Sequence, residues 1–186
     1  VDSSVVTNNN LPFMGVTSTF LKGKIPCRIA RISFSGELAF EVYVKSDFAN
    51  TMMDLLWENA KKYDGCLYGL EALGALRVEK GHVTAAELDG RVTIDDAGLS
   101  KMASTKKSYI GSVMRKRGVL KNNDREILVG FFPANLKETF NAGTIVCEKN
   151  NIKGQGIGRI TSVTYSPELR HWIGIGFVKG GLDKWK

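Results

Sequence analysis

The period of the hydrophobic pattern changes along this chain, and that change limits most sharply what it can fold into. Across "SDFANTMMDLLWENAKKY", residues 46 to 63, apolar side chains recur at Phe48, Met52, Leu55, Leu56 and Ala60, behind the capping candidates Ser46 and Asp47. That spacing places one apolar stripe on an amphipathic helix. Beyond residue 125 the pattern is that of strands. The runs "EILVGFF", "AGTIVCEK", "IGRITSVTYS" and "HWIGIGFVKGG" are apolar or alternating and are separated by clusters of Asn, Gly, Lys and Pro, which suggests a small antiparallel barrel or sandwich.

The first half mixes both periods. "CRIARISF" places Ile29 on one side and Ile32 and Phe34 on the other, and "AFEVYV" alternates so that Phe40, Val42 and Val44 share a face. A second helix is predicted over "GLEALGALRVEK", ending at Gly81 with Arg77 and Lys80 in its last turn, where cations complement the helix dipole. Gly74 lowers its propensity but permits close packing. An Asp-Gly turn in "ELDGRVTIDDAGL" leads to a junction near residue 100, and "SYIGSVMRKRG" is predicted to be a short helix. The fold class is therefore α+β, with one region over residues 1–100 and a β-barrel region over 101–186.

Charge divides the chain in the same place. Residues 1–95 hold 10 Lys/Arg and 12 Asp/Glu, whereas residues 96–186 hold 16 and 7. Much of the excess lies between Lys101 and Arg125, a run suited to a nucleic acid or a polyanionic ligand tail. No aromatic residues are interleaved there at stacking spacing, so nucleic acid is not the expected partner and a solvated face is. No apolar run approaches the roughly 20 residues that cross a bilayer, and "VDSSVVTNNNLP" lacks the features of a signal peptide. The expectation is a soluble, cytoplasmic protein without a membrane partner. The start has no methionine and enters loop-like sequence at once, which suggests a processed chain or, as the preferred reading, a piece of a longer protein. Cys27, Cys66 and Cys147 are widely spaced without a CxxC pair, so reduced thiols are expected and no metal site.

Few residues carry a signal for chemistry. His82 and His171 sit in no recognisable catalytic motif, and the glycines of "GQGIGRI" miss the phosphate-binding spacing and suit a hairpin or bend. The stretch "RISFSGELAFEVYV" is more informative. Period-2 alternation sends Glu41 and Tyr43 to one face, opposite Phe40, Val42 and Val44. A glutamate on a rigid strand can accept two parallel hydrogen bonds from a ring N–H and a neighbouring amine, as pterins and guanines present them. A solvent-facing strand residue is the plainer reading of Glu41.

Five blocks in order, "LPFMGV", "RISFSGELAFEVYV", "YGLEALGALRVEKGH", "DGRVTIDDAGL" and "TSVTYSPELRHWIGIGFVKGG", resemble the folate-binding aminomethyltransferase family typified by the glycine cleavage T protein. Within that family the pattern is most similar to the carboxy-terminal region of the alpha subunit of heterotetrameric sarcosine oxidase. The resemblance implies a partial folate-binding fold over residues 1–100, followed by the family's small barrel.

It also implies an enzyme domain that transfers a one-carbon unit to tetrahydrofolate, forming the 5,10-methylene derivative. Flavin and NAD would belong to other parts of the enzyme, and other sarcosine oxidase subunits would be partners. Glu41 matches the family's pterin-binding glutamate, with Tyr43 beside it, and Glu37 belongs to the "SGE" turn. Arg77 and Glu79 match a family pair and, two apart on a helix, face different partners. Leu73 stands where the T protein type has a folate-contacting arginine. The family's catalytic aspartate lies in an amino-terminal part that this chain lacks, so the chain alone is expected to be inactive. Asp95 and Asp96 do not replace that aspartate and suit a turn or cap. The alternatives are a T protein-like aminomethyltransferase, or a non-catalytic relative that binds folate or RNA.

Overall fold

A computed structural model describes residues 3–22, 24–150 and 153–185. The chain divides into two compact units, Val1–Leu76 and Arg77–Lys186.

Unit 1 is a three-stranded antiparallel sheet, ordered β1 (Val16–Leu21), β2 (Ile25–Ala30), β3 (Glu41–Tyr43), with a helix against one face. The "LPFMGV" block forms its entry. Leu11 is buried, Arg31 donates to Asn8 Oδ1 at 2.6 Å and to the Leu11 carbonyl at 3.2 Å, and the Met14 N–H donates to the Arg31 carbonyl. Gly15 is required in this turn, because a Cβ there would lie 2.7 Å from the Pro12 carbonyl oxygen. The inner face of the sheet carries Leu21, Ile25, Cys27 and Ile29, and Val42 joins them from β3. Helix α1 (Ala49–Ala60) closes that face, with Phe48, Met52 and Leu55 packed on the cluster, as the sequence stripe predicts. Burial pushes the Cys27 thiol above its ordinary range.

Two elements differ from the sequence reading. β2 stops at Ala30, short of Ile32 and Phe34, because β3 pairs only with Arg28–Ala30 and the chain then bends over residues 34–38. β1 is a strand that alternation does not reveal. Its inward positions are Thr17, Thr19 and Leu21, whereas Val16 and Phe20 point outward and are exposed.

Helix α2 spans Leu70–Lys80, as predicted. Its end is a Schellman turn: Gly81 has φ +74°, its N–H donates to the Val78 carbonyl, and the His82 N–H donates to the Arg77 carbonyl.

In unit 2 a four-stranded antiparallel sheet runs β4-β7-β6-β5, from β4 (Glu126–Phe131), β5 (Ile145–Val146), β6 (Gly158–Ser166) and β7 (His171–Lys179). All four predicted runs contribute, but "AGTIVCEK" pairs over two residues only. The predicted short helix over 108–118 is a series of turns with a 3-10 turn at Met114–Lys116 and the start of another at Gly118–Lys121. β7 is buried without interruption from Ile173 to Val178, the pattern of a strand covered on both faces. Gly176 permits this packing, since a Cβ there would lie 2.2 Å from the Arg159 carbonyl oxygen. Phe177 is fully buried, which stabilises by roughly 1.5–3 kcal/mol. Val78, Ile173 and Ile175 form a cluster with Leu128.

Among the described residues no helix is long and apolar enough to cross a membrane.

Candidate functional site

The candidate site lies on the outer face of the unit 1 sheet. Strand register places Ala30 opposite Glu41 and Arg28 opposite Tyr43, with Val16 and Ser18 of β1 continuing the two rows. Directly opposed residues share a face. The inner-face cluster therefore anchors the strand, and Glu41 and Tyr43 are turned to solvent, Tyr43 being 52% exposed.

The Tyr43 hydroxyl donates to Glu41 Oε2. That hydrogen bond, with a smaller effect of desolvation, holds the Tyr43 phenol above its ordinary range. Among the described residues, Glu41 Oε1 accepts no hydrogen bond. The pair thus offers a carboxylate fixed in orientation by its neighbour, with an acceptor left open.

The other residues singled out in the sequence have different settings. Glu37 lies in the 34–38 bend, where Gly36 has φ +101° and its N–H donates to Ser33 Oγ. Arg77 donates to Glu87 Oε2 at 3.1 Å, to Ser162 Oγ at 2.7 Å and to the His82 carbonyl at 3.3 Å, whereas Glu79 accepts from Ser166 Oγ at 2.5 Å. The two do face different partners. Asp96 accepts from the Thr93 N–H at 2.8 Å, as a cap residue does, and is also paired to Arg125. Asp95 binds Arg115 through two nitrogens at 2.7 and 2.6 Å. His171 Nδ1 lies 2.9 Å from the Trp172 carbonyl, and desolvation holds the His82 imidazole below its ordinary range. Cys27, Cys66 and Cys147 are free thiols. Among the described residues no three His, Cys, Asp or Glu side chains are grouped to hold a metal.

Sequence reasoning missed Glu87, which is fully buried. Its Oε2 accepts from Arg77, the Thr84 N–H and Thr84 Oγ1, and its Oε1 from Thr161 and Ser162 at 2.7 and 2.6 Å. Burial pushes its pKa up, but these donors outweigh it and hold it below the usual carboxylate value. Thr161 and Ser162 both reach Glu87 because a β-bulge falls between Ile160 and Ser162, breaking the strand alternation. The spacing Thr84-x-x-Glu87 was the available signal, since it is that of a capping box. This carboxylate is saturated and structural.

Comparison with known proteins places the chain. The GCVT N-terminal domain profile matches residues 1–107, and the glycine cleavage T-protein C-terminal barrel domain profile matches residues 127–185. The sarcosine oxidase subunit alpha of Rhizobium meliloti (strain 1021) is 33% identical over 183 residues, covering 96% of this chain and 18% of that protein. The aminomethyltransferase of Halothermothrix orenii is 33% identical over 181 residues, covering 95% of this chain and 48% of that one. The crystal structure of glycine cleavage system aminomethyltransferase T from Bartonella henselae has the same fold, with a TM-score of 0.71 at 22% identity, over 82% of this chain and 42% of that one. The chain spans less than half the length of each of these three relatives. Profile matches over residues 1–107 and 127–185, in the family's order, mean that this chain belongs to the glycine cleavage T-protein family.

Proposed function

We propose that this chain is the carboxy-terminal part of the folate-handling unit of a sarcosine oxidase-like enzyme. There it helps to place tetrahydrofolate for capture of a one-carbon unit as the 5,10-methylene derivative. The observation that carries the reading is the Glu41 carboxylate, held on a strand with Oε1 open and Oε2 engaged by Tyr43. The likeness to sarcosine oxidase alpha subunits and aminomethyltransferases, over 95% or more of the chain in the two cases above, supports it.

The acceptor set suits a pterin ring. A ring N–H and its adjacent amino group need two acceptor oxygens in one plane, which a single carboxylate provides. Tetrahydrofolate, when bound, supplies the nitrogen that takes up the one-carbon unit. What this chain contributes is orientation: β3 fixes the carboxylate, and the Tyr43 hydroxyl restricts its rotation. Residues 1–100 serve this role, and residues 101–186 form the barrel region. Flavin and NAD belong to other parts of the enzyme, other sarcosine oxidase subunits are its partners, and the cytoplasm is its compartment. The 186-residue chain alone is inactive.

Calorimetry with tetrahydrofolate on the full-length enzyme tests the reading. Glu41→Ala removes both acceptors from a solvent-facing position and is expected to weaken binding about tenfold or more. Unchanged affinity would sink the assignment.

A further inference from the structure

We propose that unit 2 carries a binding site for a small polyanion, a ligand with two or more phosphate or carboxylate groups, in a cleft beside β4. The cleft has a volume of about 990 Å³ and is lined by residues of the 95–125 segment together with Ile127, Gly180 and Gly181. It contains the basic run that the proposed function does not use.

Among the described residues, six cations and two carboxylates line it. Both carboxylates are taken up internally. Asp95 holds Arg115 through two nitrogens, and Asp96, which is only 5% exposed, holds Arg125. The Asp96 carbonyl accepts from the Leu128 N–H at 2.8 Å, which ties this turn to β4. The two pairs are thus part of the cleft's frame and cancel each other's charge. Lys106, Lys107, Lys116 and Lys121 are exposed, and among the described residues none of the four has a salt bridge.

Four ammonium groups without a salt bridge around one concavity, of which Lys121 alone feels the nearby Asp95 carboxylate, repel one another, and concave walls of low dielectric focus their field. A multivalent anion relieves that repulsion, whereas a single charge relieves little of it. Ser104, Ser108 and Ser112 supply hydroxyl donors on the same lining. Among the described residues Tyr109 is the one aromatic side chain in the lining, too few for the stacking platform that single-stranded nucleic acid needs. The ligand is accordingly small. The inference stands on unit 2 alone and does not depend on the folate reading.

Calorimetry on the 186-residue chain, at low and near-physiological salt, tests it with two probes, inorganic tripolyphosphate and a tetraglutamate peptide. Saturable binding of at least one, weakening as salt rises, is expected. The tighter probe identifies phosphate or carboxylate as the preferred group. The double variants Lys106→Ala/Lys107→Ala and Lys116→Ala/Lys121→Ala alter only exposed side chains. Each is expected to weaken binding about tenfold, and Lys149→Ala/Lys153→Ala, outside the cleft, by less than about twofold. No saturable binding of either probe at low salt would overturn the proposal. So would equal losses from the cleft and control variants, which would reveal only the attraction of net charge.

Discussion

In unit 1 the sheet buries one face against α1 and leaves the other to solvent. In unit 2 the central strand β7 is buried from Ile173 to Val178. The two regions treat a carboxylate in opposite ways. Glu87 is fully buried and accepts from five donors, whereas Glu41 is exposed and keeps an oxygen open. A charge can stay buried only if its hydrogen-bonding capacity is met, so it is then unavailable to a ligand. An exposed carboxylate on a strand anchored from behind keeps its geometry without losing its acceptor. The contrast separates a residue that holds the fold from one left accessible, as the proposed role of Glu41 requires.

Glu87→Ala is the strongest way to break this comparison. It leaves Arg77, whose side chain is 13% exposed, without its charge partner, and the expected loss is about 3–5 kcal/mol in urea denaturation. A loss below about 1 kcal/mol would mean that Glu87 is not the keystone of its network.

Acid should sharpen the comparison by acting on unit 2. Donors from Ser162, Thr161, Thr84 and Arg77 overcome the burial of Glu87 and hold its pKa down. Those from Arg125 and Thr93 do the same for buried Asp96, and hydrogen bonds from Arg91 bring Asp89 down to about 2. Groups whose folded pKa is depressed stabilise fully above their unfolded values, near about 4, and that stabilisation disappears as pH falls through the folded values. The melting temperature should therefore fall between about pH 4 and about pH 2, with the methyl resonances of Ile173 and Ile175 reporting the loss. A melting temperature that is flat over this range would contradict the network.

Glu41→Ala should have the smallest effect on stability, within about 0.5 kcal/mol, because the side chain is exposed. Its signature is local. The Tyr43 phenol, held high chiefly by the Glu41 hydrogen bond, should titrate nearer its ordinary value, as read from the tyrosine ring carbon shift. An unmoved titration would show that the pair does not persist in solution.

The helices were legible because a stripe of apolar residues at helical spacing has one stable use, burial of one face. Phe48, Met52 and Leu55 do this for α1, and Gly81 ends α2 in the only backbone region that completes its Schellman turn without strain. β1 was not legible. Its inward positions are mostly threonines, and two of its three large apolar side chains, Val16 and Phe20, are exposed, so alternation there points the wrong way. The extent of β2 was overread, since a strand continues only as far as a partner pairs with it.

The sequence by itself determined the α+β class, the course of both helices, the four strand runs of the second half and the face shared by Glu41 and Tyr43. Each depends on periodicity or local turn chemistry, which a few neighbouring residues specify. Tertiary structure decided which carboxylates are saturated and which cations are left over. Glu87 meets Thr161 and Ser162, and Arg125 meets Asp96, across long stretches of chain. The first depends on a β-bulge and the second joins residues 29 apart, which no local pattern carries. The difference between a structural carboxylate and one open to a ligand therefore appears only once the chain has folded.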